Sequence, residues 1–158
     1  MYRANRKISL EEATNKLMRY CAYQERCSQE IITKAKQYGL STDQINEVLA
    51  LLKKENFVNE QRFAEAYVRG KAKVKRWGYY KIRAALKAKA VEEQVIDSAL
   101  ELLDEELERT NLAYWFARKV KSEELDFEEQ QKVFHYLQQK GFKSEAIQQL
   151  MKSEGLLK

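Results

Sequence analysis

Apolar residues recur at steps of three and four along almost the whole chain, and strict alternation is absent, so the elements predicted are helices. Ala13, Leu17, Tyr20 and Cys21 share one face. Ile31, Ile32 and Ala35 mark a second helix, and Ile45, Val48, Leu49 and Leu52 a third. Phe63, Ala66, Tyr67, Gly70 and Val74 predict the inward face of a fourth, and Ile82, Ala85 and Leu86 that of a fifth. The pattern continues through Ile96 and Leu100, Leu112 and Phe116, Val133 and Leu137, and Ile147 and Met151. Start and stop signals divide the run: Ser28, the Ser41-Thr42-Asp43 stretch, Asn59 and Lys143-Ser144-Glu145 as starts, Gly39, Gly78 and Gly141 as stops. There is no proline and there are five glycines, so little in the sequence forces a turn elsewhere.

The helical units repeat. Residues 30–52 lie over 81–103 without a gap, at an offset of 51. Ile31 meets Ile82, Ala35 meets Leu86, Leu40 meets Val91, Ile45 meets Ile96 and Leu49 meets Leu100. The same shift again reaches Val133, Leu137, Phe142, Ile147 and Met151, and brings Gly39 onto Gly141. A register held twice at core positions implies three copies of one module. The expected fold is all-α: three tandem three-helix, helix–turn–helix-like repeats over 10–57, 58–105 and 106–155, in an elongated, curved arrangement. A unit of this size is marginal alone, so neighbours should support one another.

Charge changes the picture, because it is uneven. The net is +5, yet residues 66–91 hold nine Lys or Arg and no acid, so the remainder is net acidic. Residues 92–129 carry thirteen acids against four bases. Such asymmetry speaks to partners rather than to fold. The middle module therefore holds the candidate binding residues: Arg62, Arg69, Lys71, Lys73, Lys75, Arg76, Trp77, Tyr80, Lys81, Arg83, Lys87 and Lys89. Arg62, Arg69, Lys73 and Arg76 are expected on one outer stripe, with Tyr80, Arg83 and Lys87 outside the next helix. Lys and Arg draw phosphate through counterion release, and exposed aromatics stack on unpaired bases. Trp77, Tyr79 and Tyr80 either do this or staple the turn around Gly78.

Reaction chemistry finds little support. His135 is the sole histidine, and a lone His beside aromatics on a helix is usually packing or surface. No nucleophile elbow and no glycine-rich phosphate loop occur. The acidic runs lack metal-loop spacing. Cys21 and Cys27, six apart, point to different faces of a helix and are expected as free thiols. No stretch approaches the length of a membrane span or a signal-peptide core, so a cytoplasmic protein without cofactor or metal is expected. A direct DNA binder and a docking protein both fit these features.

The stretch from Phe57 to Glu101 adds a resemblance. Phe57, Asn59, Glu60, Arg62, Phe63, Ala64 and Tyr67, then Gly78, Lys81, Ile82, Leu86, Lys89 and Val91, and then Ile96, Ala99 and Leu100 match the pattern of the RecX family of regulatory proteins. The likeness extends over residues 10–104 and more loosely over 105–155. It implies tandem three-helix repeats and a non-enzymatic, monomeric regulator. That regulator would bind the RecA–single-stranded DNA filament, block its extension or promote its disassembly, and so modulate recombination, DNA repair and the SOS response. Single- or double-stranded DNA is a further partner to consider. One position departs from the pattern: Ala90 stands where the family usually has Gly, and a rearranged turn is expected there.

Overall fold

The computed structural model describes residues 8–156, and among them every regular element is an α-helix. In chain order these are α1 (Leu10–Tyr23), α2 (Ser28–Gln37), α3 (Thr42–Lys54), α4 (Glu60–Lys73), α5 (Tyr79–Ala88), α6 (Glu93–Leu100), α7 (Glu105–Lys119), α8 (Phe127–Gln139) and α9 (Ser144–Ser153). Side chains cap most starts. Ser9, Ser41, Asn59, Asp104 and Asp126 each accept a hydrogen bond from the amide three residues on, satisfying a donor that the helix leaves unpaired. Ser28 is not the expected cap. Cys27 occupies the cap position of α2, and the Glu30 carboxylate accepts its amide at 3.1 Å.

The helices gather by threes around separate apolar centres. Leu17, Ile31, Ala35, Ile45 and Leu52 belong to the first, Ile82, Leu86, Val91, Ile96 and Leu100 to the second, and Val133, Leu137, Phe142, Ile147 and Met151 to the third. All the apolar register positions are buried except Leu49, which is half-buried beside buried Val48. Each fully buried Leu or Ile contributes about 2 kcal/mol. A centre of this size leaves one module marginal, and junctions between modules add the rest.

Two expectations fail locally. The turn at Ala90 is not rearranged. Its φ is +60°, in the left-handed region with Gly39 at +79° and Gly141 at +102°. Ala90 N–H donates to Lys87 O and Val91 N–H to Leu86 O, as Gly39 and Leu40 donate to Lys36 O and Ala35 O. The tertiary position of Val91 in the core holds the alanine in a conformation it disfavours. The inward face of α4 is also different. Ala64, Val68 and Ala72 join Phe63 in the core, while Gly70 and Val74 face solvent. Three small or β-branched residues, which let α6 and α7 approach closely, prevail over the larger apolar stripe.

At the first junction Cys27 belongs to the apolar centre of the second module. The Glu60 carboxylate accepts from Ser28 N–H at 2.8 Å and from its hydroxyl. Arg62 Nε donates to Glu25 at 2.6 Å, and its Nη2 to Asn56 O at 2.9 Å. At the second junction α4 packs on α7. Buried Asn111 donates to Ala72 O at 2.9 Å, and Trp115 Nε1 to Arg76 O at 2.8 Å. Gly78 N–H donates to Lys140 O at 2.7 Å and Tyr80 N–H to Gly141 O at 2.9 Å, so the corner before α5 seats against the α8–α9 turn.

Candidate binding surface

The twelve candidate residues separate into three groups by what they touch. Arg62, Arg83 and Lys89 are paired. Arg62 bonds Glu25, as above. Arg83 reaches Asp97 at 2.5 Å and Glu93 at 3.0 Å on α6, and these acceptors hold its guanidinium charged more firmly than usual. Lys89 Nζ lies 3.9 Å from Glu30 of the first module. Arg62 and Arg83 therefore spend their hydrogen bonds inside the chain, and the outer stripe expected through Arg62, Arg69, Lys73 and Arg76 loses its Arg62 end.

Lys71, Arg76, Trp77 and Lys81 lie at the second junction. Trp77 is half-buried and packs on the middle core. The Lys71 and Lys81 ammonium groups stand 4.7 and 4.5 Å from its ring centroid. Arg76, at φ +56°, ends the turn after α4, and its guanidinium covers Tyr114 of α7 at 4.1 Å. Burial, then the neighbouring Lys140 and Lys71, push the Lys81 amine below the ordinary lysine range. Like charges thus crowd together, attached to aromatic faces rather than to carboxylates.

Arg69, Lys73, Lys75, Lys87 and Tyr80 are exposed, and none of these four cations takes part in an ion pair among the described residues. Tyr80 is 53% exposed and meets Tyr79 edge-on at 5.2 Å. Of the three corner aromatics it alone offers an open ring.

Sequence reasoning missed the third module's share. Lys140 Nζ lies 4.0 Å from the Trp115 centroid and 5.3 Å from that of Tyr136; Lys119 covers Tyr136 at 5.1 Å, and Arg118 covers Tyr114 at 5.4 Å. Tyr114, Trp115 and Tyr136 form one edge-to-face array. No charge run marks these residues in the sequence, because they are divided between α7 and the end of α8. Glu108 brings a carboxylate to the corner, where it accepts from Tyr79 N–H at 3.5 Å.

The thiols of Cys21 and Cys27 are free and buried, and burial pushes Cys27 up to about 11. His135 is exposed and contacts Gln139. Among the described residues no cluster of His, Cys, Asp and Glu could hold a metal ion, and no helix is long and apolar enough to cross a membrane.

This geometry defines a class: an all-helical, tandem-repeat protein whose visible chemistry is a cationic, aromatic-lined surface centred on the middle module. Residues 59–100 match the RecX second three-helix domain, and residues 106–151 the RecX third three-helix domain. The regulatory protein RecX of Prosthecochloris aestuarii is 31% identical over 141 residues, covering 89% of this chain and 91% of that protein. The regulatory protein RecX of Geobacillus sp. strain WCH70 is 30% identical over 137 residues, covering 85% of this chain, which spans about half (51%) of that longer relative. The chain belongs to the RecX family. In fold it is similar to the crystal structure of RecX from Lactobacillus salivarius, with a TM-score of 0.77, 22% identity and coverage of 92% of this chain and 96% of that one. A second crystal structure, of a regulatory protein RecX, gives a TM-score of 0.78 at 24% identity over 90% of this chain and 71% of the other.

Proposed function

We propose that this protein is a negative regulator of the RecA recombinase. It binds in the groove of the RecA–single-stranded DNA filament and blocks extension or promotes disassembly, which restrains recombination and the SOS response. The observation that carries the reading is a row of three joined modules whose middle one carries nine Lys or Arg and no acid over residues 66–91. A row of repeats matches a partner that is itself a helical repeat, because successive modules can meet successive protomers. Many modest charged contacts give an attraction that falls as salt rises.

The test follows ATP hydrolysis by the cognate RecA on single-stranded DNA. Substoichiometric protein is expected to lower hydrolysis and shorten filaments, more strongly at low salt. Unchanged hydrolysis and filament length would sink the reading.

The crowding of Lys71, Lys81 and Lys140 favours a second reading, direct binding of a nucleic-acid strand without RecA. If these three amines each meet a phosphate of single-stranded DNA, affinity should fall with a log–log salt slope of about −2. Binding that appears only once RecA is assembled rejects this alternative.

A further inference from the structure

Helix α4 carries two apolar stripes, and the fold buries one of them. Ala64, Val68 and Ala72 fill the core; Ala66, Tyr67, Gly70 and Val74 continue from Phe63 along the other side. Val74 is 76% exposed. Gly70 sits well inside the helix, has an ordinary backbone conformation, and a Cβ built on it would meet nothing within 4 Å. Neither packing nor dihedral angle calls for glycine there, and glycine inside a helix is unfavourable. What it does supply is a low floor. Phe63, Ala66, Tyr67, Gly70, Lys71 and Val74 line an open groove of about 400 Å³, closed on one side by Gln24 and Glu25 after α1.

The rim is basic on both flanks. Helical spacing places Arg69 and Lys73 along one side of the stripe and Lys71 along the other, with Lys75 at its end. The carboxylate in the wall, Glu25, is paired through Oε1 with Arg62 at 2.6 Å, and its Oε2 is buried without a hydrogen-bond partner. An apolar floor with a cationic rim complements an apolar side chain carried by an acidic segment; a bare strand of nucleic acid would match the rim and waste the floor. We infer that this groove on α4 is the docking site for an acidic, apolar-bearing segment of the filament's protein component. This inference rests on the regulator reading above and names the surface through which it works.

Gly70→Leu tests it with a readout that a structural role would not move. Leucine favours helix and has room, so the melting temperature should hold or rise. The side chain fills the groove, so the concentration for half-inhibition of RecA ATP hydrolysis should rise at least tenfold. Val74→Asp should do the same by placing an acid opposite an acidic partner. Phe127→Ser, which alters an exposed apolar residue of the third module, should leave inhibition unchanged. Variants as potent as wild type, at equal melting temperature, overturn the groove while leaving the regulator reading intact. Silence of the wild-type protein on the filament overturns both. If Gly70→Leu weakens binding to RecA-free single-stranded DNA equally, the groove belongs to the strand and the inference is wrong.

Discussion

Ala90 holds φ +60°, where an L side chain crowds the carbonyl that follows it, at a cost of about 1 kcal/mol. Glycine at the same point removes that cost and leaves both turn hydrogen bonds in place. Ala90→Gly should therefore stabilise the protein by about 1 kcal/mol, seen as a higher urea midpoint at unchanged slope. A midpoint at or below wild type would mean that the alanine methyl makes packing contacts that outweigh the strain. Glu108 supplies a test by pH. Burial raises its carboxyl above the usual range, opposed by the Tyr79 N–H and by Lys143, and its Oε1 finds no partner. A carboxyl whose folded pKa exceeds its unfolded one binds more protons when folded. Its favourable contribution is full below the unfolded pKa and is lost as pH rises through the folded one. Glu108→Gln, which keeps an acceptor for Tyr79, should gain melting temperature over wild type at pH 7 and lose that advantage near pH 4. An equal difference at both values would show that the carboxylate is already well solvated. The departure at Ala90 was legible in the sequence, but its outcome was not, because local propensity was overruled by the burial of Val91.

At the scale of elements, the second junction depends on two glycines from different modules. A Cβ on Gly78 would lie 2.6 Å from the Gly141 carbonyl carbon, and one on Gly141 would lie 2.6 Å from the Lys81 backbone nitrogen. Gly141→Ala combines that collision with an unfavourable φ of +102°. Gly155, at φ +75°, has nothing within 4 Å of such a Cβ and isolates the backbone cost alone. Gly155→Ala should cost about 1 kcal/mol, whereas Gly78→Ala and Gly141→Ala should each cost at least about 2 kcal/mol. Chemical denaturation of the three variants measures this; equal losses would mean that the junction opens freely. The helices were legible, and the caps Ser41 and Asn59 with them, because each depends on residues three or four positions apart; the cap at Ser28 was not, since Cys27 takes that position. The inward face of α4 was not, since it has two apolar stripes and periodicity alone cannot rank them. The contact with α6 and α7 chose the smaller side chains.

At the scale of the molecule, the same charge run serves two purposes. Arg62 and Arg83 fasten helices, while Arg69, Lys73, Lys75 and Lys87 remain available. Joint replacement of these four by Ala should lower inhibition of the RecA filament at least tenfold with little change in melting temperature. Arg62→Ala and Arg83→Ala should lower melting temperature first. If the fourfold variant inhibits as wild type does, those cations only solvate the surface.

The sequence by itself determined the helices, the threefold register and the apolar centres apart from the inward face of α4. These rest on spacings along the chain, and a helix converts such spacings directly into faces; the family was legible separately, as a resemblance of motif between Phe57 and Glu101. Only the tertiary structure decided which cations are spent on internal pairs, that the third module's Lys140 completes the cluster at Trp77, and that α4 leaves an apolar groove open. Those outcomes depend on distances through space. Arg62 meets Glu25 across 37 positions, and Trp115 meets Arg76 across 39, and no periodicity in the sequence encodes either meeting.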